Sequence, residues 1–453
     1  MTLIFLLLIA GLVTAIDTSE NSEETDASTD GDDDVVLRDD GPDAFHAGQG
    51  DDTVSRYGSG VIYGDAGDDY LETFDDADAY GGAGDDSVIT RGAGAGYGDA
   101  GDDTLAAYGD NGMASGGAGN DYVIAARSAS AYGGAGNDLM TLSDSATGYA
   151  GAGDDRIELS DTARVFGQGG NDDIEAEDDT QAIGGSGDDY LALSDNAIGR
   201  GQQGNDTFAL FGSSEGYGES GADFATSFGD STFYGGVGED TIRAFDESEV
   251  YGGDGADSID VNGEAIAYGG AGHDTMVVDS TGTAIGGDGN DSLTLLRAPL
   301  PVNALTGVLD GLDPDSEDLI DATLTGGDGA DTFTLDNSLF VPEINDTLNG
   351  LPEAGSAAEA DVAATAFPAH QDVGAITDFD LDEDVLVIEM PDPASGYAIS
   401  DITTALSADG RSTEITITIS HDTADTMTRM LVLNGVTTFD VTDISLVGHT
   451  IPA

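Results

Sequence analysis

Sixteen aspartates recur at a fixed place behind short glycine-rich segments, and their type and spacing could bind a metal. A typical segment reads YGGAGDD, from Tyr80 to Asp86. Glycine tolerates positive φ, so such a turn can aim several backbone carbonyls at one point beside a carboxylate. Hard oxygen donors of this kind suit Ca²⁺ rather than a thiolate-seeking metal. These aspartates are therefore candidate calcium ligands.

The candidate ligands share the sixth position of a repeated unit whose first six residues read G-G-x-G-x-D. They are Asp52, Asp69, Asp86, Asp103, Asp121, Asp138, Asp155, Asp172, Asp189, Asp206, Asp223, Asp240, Asp257, Asp274, Asp291 and Asp331. Fifteen units start 17 residues apart from Ala47 to Gly286, except for one spacing of 18, and a sixteenth unit starts at Gly326 after an insertion. A period this regular indicates a solenoid.

The rest of each unit indicates the elements that position the aspartates. Positions 8 and 10 are mostly apolar, as at Val88 and Leu142, and this alternation predicts a short strand. Positions 14 and 16 are mostly small, as at Ala146, and predict a second strand, with a polar turn at positions 11–13. We therefore predict an all-β parallel β-roll (β-solenoid) of about 15–16 coils, whose core is formed by positions 8, 10, 14 and 16.

The units resemble the nonapeptide repeat G-G-x-G-x-D-x-U-x of the RTX (repeats-in-toxin) family over residues 47–296 and 326–335. The resemblance implies calcium ions between adjacent glycine turns, held by the sixth-position aspartates and by glycine-segment carbonyls. Fifteen contiguous turns have fourteen gaps, so up to about 14 ions are expected.

The chain departs from the family pattern at the polar turn between the two predicted strands, which forms the second edge of the solenoid. The family repeat has two nine-residue halves with calcium on both edges, whereas here the second half has eight residues and lacks the glycines. Aspartates do occur there, at Asp75, Asp144, Asp161, Asp178, Asp195 and Asp246. Because their turns lack the glycine quartet, we expect calcium on one edge only.

The composition narrows the class of partner. The 453 residues include 90 Asp and Glu against 11 basic residues, all arginine, for a formal charge of −79. Such a charge argues against nucleic acid or an anionic membrane as partner and favours counter-cations. The chain has no cysteine, so disulfides and thiol chemistry are excluded.

Changes in composition divide the chain into seven parts. These are an apolar N-terminal segment at 1–16 (a signal peptide or an anchor), an acidic linker at 17–46, the RTX-like β-roll at 47–297, a loop insertion at 298–325, the last repeat at 326–335, a connector at 336–371, and a C-terminal β cap and secretion-signal domain at 372–453. The segment ITDFDLDEDVLVI of the last part resembles the region that follows RTX repeats in proteins exported by bacterial type I secretion. We expect a secreted, extracellular protein, and a cap-associated calcium at Asp378.

Two classes of function remain open. The chain has no HExxH motif, and no catalytic or further cofactor-binding residues are identified. We expect a non-enzymatic surface, adhesion or matrix component whose partner is a glycan or a cell surface. The alternative is an exported polysaccharide-acting enzyme or toxin with its active site on the solenoid face or in residues 298–371. Aromatic residues at position 17, such as Tyr80 and Tyr97, would stack between coils or form a platform for sugars.

Overall fold

The computed structural model describes residues 31–38, 42–279, 281–296, 322–335, 370–380, 383–389, 397–408, 410–421, 426–439 and 441–447. The N-terminal segment at 1–16 and most of the insertion and of the connector lie outside these residues. The described residues form two compact units, which meet in sequence at Ser186 and Gly187. Among them, no helix is long and apolar enough to cross a membrane.

Two parallel sheets, called sheet I and sheet II, face each other across the core of the first unit. Sheet I contains β1 (Asp34–Leu37), β3 (Thr53–Arg56), β5 (Tyr70–Thr73), β7 (Ser87–Thr90), β9 (Thr104–Ala107), β11 (Tyr122–Ala125), β13 (Leu139–Leu142), β15 (Arg156–Leu159) and β17 (Asp173–Ala176). Sheet II contains β2 (Ala44–Gln49), β4 (Ser59–Ala66), β6 (Asp76–Ala83), β8 (Ala95–Ala100), β10 (Met113–Ala118), β12 (Ser130–Ala135), β14 (Thr147–Ala152), β16 (Arg164–Gly169) and β18 (Gln181–Ser186).

The second unit repeats the same architecture. Sheet I contains β19 (Tyr190–Leu193), β21 (Thr207–Leu210), β23 (Phe224–Ser227), β25 (Thr241–Ala244), β27 (Ser258–Asn262), β29 (Thr275–Asp279), β31 (Ser292–Leu296) and β33 (Thr332–Leu335). Sheet II contains β20 (Ile198–Gln203), β22 (Glu215–Ser220), β24 (Thr232–Val237), β26 (Glu249–Asp254), β28 (Ile266–Ala271), β30 (Thr283–Asp288) and β32 (Thr323–Asp328). Both units are parallel β-solenoids with a 17-residue period, about 15 turns in all, which confirms the predicted fold class.

Alternation along each strand builds the core. In the unit that starts at Gly133, Met140, Leu142, Ala146 and Gly148 are buried, and these are positions 8, 10, 14 and 16. Neighbouring coils pair in register, so Met140 lies beside Ile157 of the next coil. The same four positions therefore form a continuous, mostly apolar column inside each unit.

The second strand is longer than the sequence pattern indicates. Strand β14 begins at position 15 of its unit and continues through positions 1–3 of the following glycine segment, ending at Ala152. The sharp turn is consequently confined to positions 4–6. Positive φ is found at positions 2 and 4, with 118° at Gly82 and 138° at Gly84. Position 2 is also occupied by residues other than glycine, such as Gln168, whose φ is 82°.

An additional strand precedes the first predicted unit. Strand β1 lies in the stretch that we expected to be an acidic linker, and it pairs in parallel with β3. Its turn carries Asp32 and Asp33, which bond to the next coil as later aspartates do. Sheet I of the first unit is therefore one strand longer than the glycine repeat predicts.

The insertion leaves the pairing of the coils unchanged. Strands β30 and β32 pair with Gly287 opposite Gly327, and β31 and β33 pair with Leu293 opposite Phe333. The remaining coil pairs within each unit have the same registers, although Asp291 and Asp331 are 40 residues apart. The repeat thus resumes at the next coil position with β32, and residues 297–321 lie outside the described residues.

The C-terminal strands continue both sheets of the second unit. These are β34 (His370–Ile376), β35 (Val385–Glu389), β36 (Tyr397–Leu406), β37 (Ser412–His421), β38 (Thr426–Asn434) and β39 (Ile444–Val447), with a 3₁₀ turn at Val441–Asp443. Strand β34 adds to β32, and β35 adds to β33, both in parallel. The hairpin partners β36, β37 and β38 then run antiparallel, so the parallel stacking of coils ends in this region.

Candidate metal sites at the glycine turns

The sixteen predicted aspartates occupy one structural position. Each follows a left-handed glycine turn and is only 1–2% exposed. Eight of them, from Asp52 to Asp172, lie in the first unit, and eight, from Asp189 to Asp331, lie in the second. The repeat thus brings these carboxylates together in a column within each unit.

Within each unit, one carboxylate oxygen of these aspartates binds the backbone of the preceding coil. The N–H of Asp86 donates to Oδ1 of Asp103 at 2.7 Å, and the N–H of Asp138 donates to Oδ1 of Asp155 at 2.8 Å. In the second unit, the N–H of Asp206 donates to Oδ1 of Asp223 at 2.7 Å. Hydrogen bonds of this kind link neighbouring coils along each column.

The other oxygen, Oδ2, is buried and accepts no hydrogen bond. This holds at Asp52, Asp69, Asp86, Asp103, Asp121, Asp138, Asp155, Asp206, Asp223, Asp240, Asp257, Asp274, Asp291 and Asp331. A buried anionic oxygen without a partner is costly, so a repeated one needs a physical explanation. A bound cation at each turn would supply the missing partner.

Glycine at position 1 leaves the space that this oxygen faces. A Cβ built on Gly98 would collide with Oδ2 of Asp103 and would lie 2.6 Å from the carbonyl oxygen of Gly116, in the next coil. The same arrangement joins Gly64, Asp69 and Gly81. Carboxylate and carbonyl oxygens therefore converge beside a position that has no side chain, and such a donor set fits Ca²⁺.

Burial raises the pKa of the column carboxyls. The pKa is raised to about 6 at Asp103 and to about 7 at Asp86, Asp155 and Asp223. Loss of hydration is the main cause, the N–H donor of the preceding coil opposes it, and neighbouring carboxylates add to it. A metal-free column therefore resists full ionisation near neutral pH.

Side chains alone do not make a metal centre in the described part of the chain. No group of three or more His, Cys, Asp or Glu side chains there is placed to hold a metal ion. A cation at a glycine turn would thus take most of its ligands from backbone carbonyls, with the aspartate supplying the charge. This division of roles agrees with the glycine content of the turns.

A second ladder, at position 5, was not identified from the sequence. Oδ1 of Asp102 accepts the N–H of Asn120 at 2.7 Å, and Oδ1 of Asn120 accepts the N–H of Asn137 at 2.8 Å. This ladder is exposed and runs opposite to the position-6 ladder, because each side chain bonds to the following coil. His273 takes the same role through Nδ1, which accepts the N–H of Asn290 at 2.9 Å. The position-5 residues share a short side chain that accepts a hydrogen bond. Because Asp, Asn and His all meet this requirement, the sequence shows no single residue type at this position.

The aspartates of the second edge have a different environment. Asp144 and Asp161 are exposed and adopt left-handed φ values of 59° and 64°. Oδ2 of Asp144 accepts the N–H of Arg127 at 3.0 Å, and Oδ2 of Asp161 accepts the N–H of Asp144 at 3.1 Å. These carboxylates stabilise a polar turn and remain in contact with solvent. They lack the buried Oδ2 that characterises the first edge.

The cap supplies two aspartates to the end of the second column. Oδ1 of Asp384 accepts the N–H of Asp331 at 3.0 Å, as a further sixth-position aspartate would. Asp378 accepts the N–H groups of Gly326 and Gly327 at 2.9 and 2.7 Å. Asp378 thus caps the backbone of the last glycine turn.

Aromatic residues at position 17 stack along the outer face of sheet II. Ring centroids are 4.5 Å apart between Tyr80 and Tyr97 and 5.1 Å apart between Tyr132 and Tyr149. In the second unit, Tyr234 and Tyr251 stack at 4.8 Å. Inside these runs each ring face is covered by the next ring, as expected for stacking between coils.

Comparison with known proteins does not assign the chain to a family. No protein-family model matches it, and no curated protein is found to match it.

Proposed function

We propose that this chain is a calcium-binding β-roll protein of the RTX type, in which Ca²⁺ drives folding. The observation that carries the proposal is the buried Oδ2 atom without a hydrogen-bond partner, repeated along the position-6 columns. At turns such as those of Asp69, Asp103 and Asp138, this oxygen and a carbonyl oxygen of the next coil lie beside the same position-1 glycine. One ion between two such turns would neutralise the carboxylates and crosslink the coils.

The proposed biological role is that of a secreted surface, adhesion or matrix component without catalytic activity. A charge of −79 and a pKa of about 7 at some buried carboxyls oppose folding where calcium is scarce. Such a chain would stay unfolded in a low-calcium cytosol, pass through type I secretion machinery, and fold in millimolar calcium outside the cell. Its partner there would be a glycan or a cell surface.

The proposal is tested by titrating the full chain with CaCl₂ while recording far-ultraviolet circular dichroism, with MgCl₂ as the matched control. Cooperative gain of β signal with calcium, its reversal by EGTA, and little response to magnesium are expected, because Mg²⁺ dehydrates reluctantly and demands stricter geometry. An unchanged β signal and unchanged compactness after chelation would contradict calcium-driven folding.

A further inference from the structure

The aromatic stack of the first unit is interrupted at Ser115. In sheet II this residue lies in register with Tyr97 on one side and with Tyr132 on the other. Tyr97 stacks on Tyr80, and Tyr132 stacks on Tyr149, so each has its second face directed toward Ser115. Two strand spacings of about 4.8 Å separate the tyrosines, which leaves room for one flat group between them. We call this place the Ser115 gap.

The exposure of Tyr132 agrees with an uncovered ring face. Tyr132 is 38% exposed, whereas Tyr149, Tyr234 and Tyr251, which are stacked on both faces, are less exposed. Tyr97, on the other side of the gap, is also less exposed than Tyr132. A small hydroxyl at position 115 cannot cover a phenol ring. The gap is therefore lined by two aromatic faces, with the Ser115 side chain at its base.

A second stack in the same unit shows what such a gap can hold. Tyr57, Phe74, Arg91 and Tyr108 occupy position 11 of four successive coils, and the rings of Tyr57 and Phe74 are 4.4 Å apart. The guanidinium carbon of Arg91 lies 6.0 Å from the ring centroid of Phe74 and 6.0 Å from that of Tyr108. An arginine thus occupies one ring position between two aromatic residues. Its Nε also donates to Glu72 at 2.6 Å.

We propose that the Ser115 gap binds the guanidinium group of an arginine side chain from a basic partner peptide. Tyr97 and Tyr132 would sandwich the planar cation, as Phe74 and Tyr108 flank Arg91. Asp99 provides a carboxylate at the rim, because it is exposed and lies two residues after Tyr97 on the same strand. The charge of −79 attracts a cationic ligand to this surface.

Charge and shape distinguish this ligand from others. A lysine ammonium is compact and strongly hydrated, so it would use the two ring faces less well than a flat guanidinium. A neutral sugar would stack on tyrosine and donate a hydroxyl hydrogen bond to Asp99, but it carries no charge for the acidic surface to attract. Selectivity should therefore fall in the order arginine, lysine, neutral ligand.

The test uses the calcium-loaded full chain with ¹³C-labelled tyrosine rings, observed by NMR. The probe is acetyl-Gly-Arg-Gly-amide, compared with the lysine peptide and with the neutral citrulline peptide. We expect saturable shifts of two tyrosine signals with the arginine peptide and at least about tenfold weaker binding of the citrulline peptide. Ser115→Tyr fills the gap and should abolish these shifts, whereas Ser115→Ala should bind within about twofold of the parent chain.

Tyr132→Ser provides an independent variant that removes one ring face without filling the gap. It should weaken binding by about tenfold. Equal binding of the arginine peptide by the parent chain and by Ser115→Tyr would overturn the proposal. Equal binding of the citrulline peptide would also overturn it. So would a result in which N-acetylglucosamine shifts two tyrosine signals and the arginine peptide shifts none.

Discussion

The backbone N–H of Asp86 donates to Oδ1 of Asp103, one coil further on, at 2.7 Å. The same carboxylate keeps Oδ2 buried and without a hydrogen-bond partner. One side chain therefore joins two coils through its first oxygen and offers the second to a cation. Structural coupling and metal binding are combined in a single residue of each turn.

Replacing Asp103 by Asn should separate these two roles. Asn retains an acceptor for the N–H of Asp86 but removes the charge beside the calcium position. At pH 8 in calcium, we expect Asp103→Asn to raise the calcium midpoint of folding and to lower stability by about 1–3 kcal/mol. Calcium-dependent circular dichroism and thermal melts measure both quantities.

The matched control is Asp102→Asn, which makes the same change of charge one residue earlier. Asp102 is exposed, and Asn already serves at this position in Asn120 and Asn137. The control should behave like the parent chain. Equal loss in Asp102→Asn and Asp103→Asn would show that general charge, rather than a buried ligand, governs the response.

Acid should favour the metal-free fold. Burial raises the pKa of Asp103 to about 6 and those of Asp86 and Asp155 to about 7, above the unfolded value of about 3.9. These carboxyls hold protons more tightly when folded. Their contribution to stability is complete below pH 3.9 and is lost as the pH rises through 6 to 7. In EGTA, the folded fraction should therefore be larger at pH 5 than at pH 8.

Repulsion between surface carboxylates also weakens in acid and would raise the folded fraction in the same way. Added salt distinguishes this surface effect from the effect of the buried carboxyls. In 1 M NaCl the Debye length is about 3 Å, so surface repulsion is largely screened, whereas the loss of hydration at a buried carboxyl persists. The pH dependence of the circular dichroism signal should survive in 1 M NaCl. Its disappearance there would assign it to the surface.

The first position of the unit should control individual calcium sites. A Cβ at Gly133 would collide with Oδ2 of Asp138, so Gly133→Ala should weaken calcium binding at that turn and cost about 1–3 kcal/mol. Alanine is already present at Ala150, in the coil of Asp155. Ala150→Gly should strengthen calcium binding there. Isothermal titration calorimetry and thermal melts of both variants measure these effects, and an unchanged calcium affinity in Gly133→Ala would place the ions elsewhere.

The second edge should not respond to calcium. Asp161 is exposed and has a left-handed backbone conformation. Glycine occupies the same position in two other coils, with φ of 69° at Gly212 and 71° at Gly263. Asp161→Gly should therefore leave the number of bound ions unchanged and shift stability by less than about 0.5 kcal/mol. Asp161→Ala should cost about 1–2 kcal/mol through its left-handed backbone alone. Loss of an ion in Asp161→Gly would show that this edge also binds calcium.

The sequence predicts the fold because each coil repeats the same local rules. Apolar positions such as Met140 and Leu142, and the glycine positions of the turn, are fixed by burial and by φ, and both leave a periodic signal. The burial of Asp103 follows from the same period. The sequence therefore locates the candidate ligands residue by residue.

Features that depend on three-dimensional neighbours leave a weaker signal. The position-5 ladder accepts Asp, Asn or His, so its members do not look alike in sequence. Strand β1 lacks a complete glycine segment before it, although Asp33 bonds to Oδ1 of Asp52 at 2.6 Å. Arg56 occupies a core position and is 2% exposed because its guanidinium donates to the carbonyls of Pro42 and Ser59. No alternation of apolar residues predicts such a contact.

The register that Asp291 and Asp331 keep across 40 residues has a consequence for engineering and for evolution. Each coil recognises its neighbour by shape and hydrogen bonding, so the length of chain between them is nearly free to vary. Lengthening that connection from 17 to 40 residues adds less than about 1 kcal/mol of loop-closure entropy. The end of β31 is therefore a place where a foreign domain can be inserted. The coils before and after the insertion would still pair with each other.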